Sequence, residues 1–512
     1  MFDETNVSTG AYRDGNGNGH AMVIGGSMAG LFAARVLADS FERVTLVERD
    51  SFPEGPEFRK GVPQSRHIHI FLPRGRQIAE RLFPGLEGEL SSSDAEFVDA
   101  AGGKAWLTPA GLAPRFHSGV SMLASTRNLL EWAVRRRVAA LPNVRFLERT
   151  DVTRLLPGPG ESVAGVKLRS RSGRNGADLE EALYADLVVD ASGRNSNAPR
   201  WLQELGYAPP EETHVNAHPG YATRLFERTK DPGRDWKIMF VQPAPPEHNR
   251  GGIIFPVEGG RWICSLGGVG GDHPPTDEEG FMHFARSLRD PMLYEAIKDA
   301  KPLSPIHGYR DMADRSRHYE KLSCQPHNFL VTGDAACSLN PIYAQGMTTA
   351  ALGADTLEGC LAKRGDGDFA GLSRRFQKRL ARVNAAPWLL ATGEDLRVRG
   401  TEGGKAGLST RLTHRYMDRV LELSMRDLGV RHTFLEVFGM LRSPTVLFGP
   451  AIATKVMREA LFRGGKVKAL EVRVPVSTTR PKCQAASLPR KRTRIEGGER
   501  KRQRPDTGQR PD

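Results

Sequence analysis

Hydrophobic and polar positions change rhythm several times along this chain, and each change predicts an element. A short apolar run, Ala21-Met-Val-Ile24, predicts a buried strand. Glycines follow at 25, 26 and 30, and an Ala/Leu-rich stretch with helical spacing runs to Leu37. A second apolar run, Val44-Thr-Leu-Val47, leads straight into Glu48. Between about 210 and 325 the rhythm alternates, in short runs at 220–226, 237–242, 252–257 and 261–267 parted by Pro and Gly. Period-two alternation of that kind predicts a half-exposed antiparallel sheet. From about 376 to 462 the pattern turns helical, with Phe434, Val437, Phe438 and Leu441 at helix spacing. Such a stripe suits either packing against a core or the wall of a substrate tunnel.

Composition narrows the class. A chain of 512 residues has a length prior of about three domains and ample material for a buried core. Its five cysteines are scattered and none forms a CxxC pair. A disulfide scaffold, a zinc ribbon and a thioredoxin-like centre are therefore excluded, and a reduced, intracellular enzyme is expected. The net charge is +13, but residues 480–512 alone hold 11 Lys and Arg against 4 Asp and Glu. That tail has too few large apolar residues to fold and reads as solvated and disordered. Its runs at 490–494 and 500–502 are basic enough to attract polyanions or act as an address. The rest of the chain carries only +6, so no nucleic-acid partner is expected.

The first 20 residues are polar, with no apolar core of a secretory signal. The longest candidate for a membrane span, 434–457, is broken by Glu436, Arg442, Pro444, Pro450 and Lys455. A cytoplasmic location without firm membrane association is the expectation.

The strand–turn–helix–strand–acid order at 21–48 is the one that dinucleotide binding requires. Gly25 permits the tight turn, a small residue at 27 lets the backbone approach a pyrophosphate, and Gly30 lets helix and strand pack closely. The helix N-terminus then turns free N–H groups toward the anion. Glu48 lies 23 residues after Gly25, where a carboxylate can accept from an adenosine ribose. Ser27 stands in place of the second glycine of GxGxxG, a departure that keeps the residue small. Like-charge repulsion from Glu48 disfavours a 2′-phosphate at this site. The glycine run 266–271 is followed by Asp272-His-Pro-Pro275, which blocks an immediate helix and marks a sheet turn.

Two further segments carry a resemblance. Asn328-Phe-Leu-Val-Thr-Gly-Asp334 is a strand ending in Gly-Asp, followed by a loop with Pro341 and Gly346 and a helix near Met347. Ala185-Asp-Leu-Val-Val-Asp190-Ala-Ser-Gly193 is a strand ending in a polar turn. Together with the nucleotide turn, they resemble the FAD-dependent monooxygenases of the para-hydroxybenzoate hydroxylase and squalene epoxidase superfamily. The stretches 58–69, 220–226 and 259–262 look most like bacterial polyether-type flavin epoxidases.

The resemblance implies a fold of the α/β class: a Rossmann-type FAD-binding domain, an inserted antiparallel β-sheet substrate domain and a C-terminal helical region. The boundaries expected are 1–19 disordered, 20–210 with 326–375 for FAD, 211–325 for substrate, 376–465 helical, and 466–512 a disordered basic tail. It implies that Asp334 binds the ribityl chain, and that Pro341, Gly346 and Met347 lie beside the flavin ring. Asp190 and Gly193 would sit close to the cofactor. Arg127 looks like the family arginine that contacts the flavin, although an exposed arginine near a helix start is equally compatible with its position. Arg59 is left open between a cofactor contact and a solvated loop. Cys337 stands where many relatives carry histidine. His67 and His69 alternate as on a strand, with no further ligands for a metal, so no metal site is expected and a structural or flavin-adjacent place is preferred for them.

The implied reaction inserts one oxygen atom from O2, by way of a flavin C4a-hydroperoxide, into a lipophilic natural product. Alkene epoxidation of a polyketide or terpenoid is preferred, because no base for a phenol is assignable. NAD(P)H would serve as transient electron donor, either directly or through a separate flavin reductase. An aromatic hydroxylase, a geranylgeranyl-reductase-like flavin reductase and a non-catalytic flavin-binding module remain as alternatives. A flavin halogenase is disfavoured because the WxWxIP signature is missing.

Overall fold

The computed structural model describes residues 19–171, 180–229, 235–310, 312–363 and 369–462. The two termini read above as disordered lie outside these residues, apart from Gly19.

The first apolar run forms the strand His20–Ile24, buried at every position. It is the middle strand of a five-stranded parallel sheet, in the order Phe329–Val331, Leu187–Asp190, His20–Ile24, Arg43–Val47, Val144–Leu147. A parallel sheet is covered on both faces, which is why these strands read as unbroken apolar runs. The helices Met28–Ala38 and Gly346–Leu361 pack on it and on each other, and Met22, Leu31, Phe32 and Ala351 lie fully inside one core cluster. Each large apolar side chain buried there contributes roughly 1.5–3 kcal/mol. His20 is tolerated in that core because both ring nitrogens are engaged, at 2.7 Å from Thr45 Oγ1 and 2.7 Å from the Tyr184 carbonyl.

The alternating runs form a seven-stranded sheet, in the order His307–Tyr309, Gly220–Glu227, Arg261–Gly268, Arg250–Val257, Ile238–Val241, Lys104–Thr108, Gly111–Leu112. All four runs read from the sequence are strands. The sheet also crosses the boundary read at 211: Lys104–Thr108 and Gly111–Leu112 come from the earlier segment. Lys104 to Leu107 pair in parallel with Ile238 to Val241 across more than a hundred residues, a partnership with no local signal. The 266–271 glycines end a strand and turn, with Gly270 and Gly271 at φ +67° and +84°.

The C-terminal part is helical at Leu372–Asp395, Leu408–Ser424, Leu428–Phe438 and Pro450–Phe462. The first of these helices starts ahead of the boundary read at 376, and its Leu372, Phe376 and Leu380 belong to the core of the parallel sheet. Leu428–Phe438 is started by Asp427, whose carboxylate accepts from Gly429 N and Val430 N at 3.0 Å. No helix among the described residues is long and apolar enough to cross a membrane.

Candidate active site: a cleft at the strand carboxyl ends

In an open parallel sheet, ligands bind beyond the carboxyl ends of the strands. Here all five ends supply residues to one cleft of about 390 Å³. Gly25, Glu48, Thr150, Gly193 and Asp334 each follow a different strand, and all five line it. Of the residues singled out in the sequence, Gly25, Ser27, Glu48, Arg59, Arg127, Gly193, Asp334, Pro341, Gly346 and Met347 line this cleft.

Gly30 and Asp190 stand one layer behind. A Cβ on Gly30 would sit 1.8 Å from the Gly25 carbonyl oxygen, so its role is the close packing of helix on turn. Asp190 is fully buried and turns inward; its carboxylate accepts from Ser192 N at 2.9 Å and from the Ser196 hydroxyl. It therefore shapes the 191–197 loop rather than facing the cleft. Burial raises its pKa, against those two hydrogen bonds.

The nucleotide turn is held by alternating charges. Gly25 has φ +99° and donates to Val47 O at 2.8 Å. Glu48 accepts from Gly26 N at 2.8 Å and lies 3.2 Å from Arg59 Nη1. Arg59 is buried, bonds Glu131 through Nε at 3.0 Å, and donates to the Gly26 carbonyl at 3.2 Å. Glu131 also pairs with Arg127 at 2.6 Å and accepts from the Ser27 hydroxyl at 3.1 Å. Burial alone would push the Glu131 carboxyl up, but the two guanidiniums hold it below the usual carboxylate range. Arg127 shifts downward because its burial outweighs Glu131. The solvated-loop reading of Arg59 is thus overturned; Lys60 beside it is exposed.

Asp334 is half-buried at the other side of the cleft. Burial raises its carboxyl, partly offset by Arg194, Arg127 and Arg315. The loop above it is anchored from below: Asn340 N donates to Asp314 at 2.6 Å, and Asn340 Nδ2 and the Tyr343 hydroxyl bond Asp395 at 3.0 and 2.6 Å. Asp314 and Asp395 are both fully buried. Desolvation and the facing carboxyl push Asp314 up to about 8, so it stays protonated at neutral pH. Cys337 is buried, which lifts its thiol to about 12 and keeps it uncharged.

A match to the family model for FAD-dependent oxidoreductases spans residues 59–358, more than half of the chain. This chain belongs to the FAD-dependent oxidoreductase family. It is 32% identical to Protein Rv3254 of Mycobacterium tuberculosis over 450 residues, 86% of this chain and 94% of that protein. It is 29% identical to squalene monooxygenase SE1 of Panax ginseng over 358 residues, 68% of this chain and 59% of that one. Similar solved structures include the flavin-dependent brominase Bmp2 (TM-score 0.59, 15% identity, 86% of this chain and 99% of that one). Another is p-nitrophenol 4-monooxygenase PnpA of Pseudomonas putida (TM-score 0.58, 17% identity, 84% and 98%). At such identities the structures show the shared fold.

The residues present suit FAD. Arg127 Nη1 is buried without a hydrogen-bond partner among the described residues, on a side chain that lines the cleft. The helices Met28–Ala38 and Gly346–Leu361 both begin at the cleft with no side-chain cap, leaving their first N–H groups for a ligand. Among the described residues no cluster of three or more His, Cys, Asp or Glu is placed to hold a metal.

Three contributors escaped the sequence reading. Glu131, which joins Arg59, Arg127 and Ser27, was visible as the i+4 partner of Arg127 on the helix Arg127–Ala139. Arg194, lining the cleft, directly follows the strand-and-turn motif that ends at Gly193. His69 was read as structural or flavin-adjacent, without a chemical role. It also lines the cleft, its Nδ1 lies 3.0 Å from the His67 carbonyl, and burial lowers its pKa to about 4. A carbonyl only accepts, so Nδ1 carries the proton and Nε2 is an acceptor.

Proposed function

We propose that this flavin enzyme is a monooxygenase of a lipophilic small molecule, with alkene epoxidation of a polyketide- or terpenoid-like chain as its reaction. The observation that carries the reading is the continuity of the cleft with an apolar layer. Ile68 and Ile70 line the cleft and also pack against the cluster of Trp106, Phe255 and Ile263 beneath the seven-stranded sheet. Tyr309, from the edge strand of that sheet, lines the same cleft.

When bound, reduced FAD supplies the activation of O2, with one oxygen atom going to substrate and the other leaving as water. The chain's own residues position the cofactor and keep water out. Gly25, Gly26 and Ser27 with the Met28–Ala38 N-terminus would receive the pyrophosphate, Glu48 the adenosine ribose, and Asp334 the ribityl hydroxyls. Arg127 Nη1 would donate to the flavin side of the cofactor. The Gly346–Leu361 N-terminus, with Pro341 and Met347 beside it, would favour negative charge on the ring. The apolar wall excludes water that would waste the activated oxygen. Electrons come from NAD(P)H, bound transiently or acting through a separate flavin reductase.

Hydroxylation of a phenolic ring is the second reading, and His69 is the observation that favours it, since a neutral imidazole in the cleft can take a hydroxyl proton. Its depressed basicity suits accepting a hydrogen bond better than removing a proton, which keeps the alkene first. The test is mass spectrometry of products from a polyene and phenol panel under labelled O2. One labelled atom in an epoxide is the expected result. Turnover without O2 would make the chain a reductase, and a halide-dependent product would make it a halogenase.

A further inference from the structure

Beneath the seven-stranded sheet lies a pair of buried cations that nothing above uses. Arg431, on the helix Leu428–Phe438, is 0% exposed, and Nε, Nη1 and Nη2 all lack a hydrogen-bond partner among the described residues. Lys104, at the start of the strand Lys104–Thr108, is 5% exposed. Their surroundings are aromatic. The Lys104 ammonium lies 3.7 Å from the Trp106 ring centre and 5.5 Å from that of Phe438. The Arg431 guanidinium lies 4.6 Å from Trp106 and 5.8 Å from Phe434.

The neighbouring acids are already taken. Asp99 accepts from the backbone of Ala101, Gly102, Ser118 and Gly119. Glu436, on the same helix as Arg431, pairs with Arg442 at 3.1 Å and with His432. Aromatic faces attract a cation, but they leave the in-plane N–H donors of a guanidinium without acceptors. A buried arginine cannot escape by losing its proton, whereas a lysine can. Burial first, and Arg431 second, hold Lys104 well below the usual ammonium range. Two basic side chains set side by side among aromatic rings make a strong recognition element for one kind of guest, a carboxylate that accepts from the guanidinium fork.

The same apolar cluster that holds Trp106 and Phe434 includes Ile68 and Ile70 of the cleft lining. We infer that Arg431 and Lys104 form the anion-recognising end of the substrate site, so that the substrate is a lipophilic carboxylic acid. Its carboxylate lies on Arg431 and its apolar body runs over Trp106, Phe434, Ile70 and Ile68 toward the flavin cleft. This rests on the monooxygenase reading of the cleft.

The test uses FAD-loaded protein and acid–ester pairs: decanoate, oleate, linolenate and cinnamate, each against its methyl ester, with affinity read by quenching of tryptophan fluorescence. At least one acid should bind about tenfold or more tighter than its ester, as a charge-assisted pair requires. Arg431→Met should lose the preference for acid, keep its flavin absorbance and raise Tm, since an unpaired buried charge is removed. Arg431→Lys should restore part of the preference. If every acid and its ester bind alike, or if Arg431→Met lowers Tm and leaves the preference intact, the pair is structural and the inference fails. The monooxygenase reading fails separately, if the wild-type chain takes up no FAD in the same preparations.

Discussion

Arg127 and Arg431 are both buried arginines, and the molecule treats them in opposite ways. Arg127, beside the parallel sheet, faces Glu131 at 2.6 Å, and Glu131 also faces Arg59 at 3.0 Å. Arg431, under the seven-stranded sheet, faces rings and bonds no acid among the described residues. Ions taken out of water cost several kcal/mol each unless they are paired. The nucleotide side therefore completes most of its own charge pairing, as befits a site for one permanent guest, while Arg127 Nη1 stays open toward the cleft. The other side leaves its charge uncompensated among the described residues.

The comparison can be broken in several places. The largest effect is expected for Gly30→Val, whose side chain would collide with the Gly25 carbonyl. It should abolish soluble, yellow protein, read by expression and flavin absorbance. Gly271→Ala, in the glycine run of the other sheet, meets nothing within 4 Å and should cost only about 1–2 kcal/mol for its left-handed backbone. Next comes Glu131→Gln, which strips two buried guanidiniums of their shared charge. A loss of about 3–5 kcal/mol should appear as a lower urea midpoint. Asp334→Ala should leave folding intact and weaken FAD binding about tenfold or more, checked by the flavin-to-protein ratio after dialysis. Full flavin retention would remove Asp334 from the cofactor site.

A smaller, pH-dependent effect belongs to Asp314. Its folded carboxyl keeps a proton up to about pH 8, whereas the unfolded one loses it near the ordinary value. Between those limits the folded state binds more protons, so this group's contribution to stability falls as pH rises. Asp314→Asn imitates the protonated form. It should match wild type near pH 4 and exceed it by pH 8 in denaturant unfolding. The smallest change is expected for Arg81→Ala, which breaks a half-exposed pair with Glu358 and should cost at most about 1 kcal/mol.

Legibility in the sequence followed locality. The turn at 25–30, the acid at 48 and the strand ending at Asp334 are short-range patterns, and each appears where the pattern put it. Glu131 was legible in principle, as a carboxylate one helical turn beyond Arg127. Lys104 and Arg431 were not: 327 positions separate them, and a lone basic residue at each place reads as solvated surface.

The sequence alone determined four of the strands that enter the parallel sheet, the four alternating strands and the helical end. Their apolar periods leave each element one way to bury its surface. Tertiary structure decided which five strand ends meet, that Asp190 faces inward, and that Lys104–Thr108 joins the second sheet. It also decided which charges are paired and which stand alone. Pairing is a property of what folding brings within a few ångströms, and no periodicity along the chain encodes it.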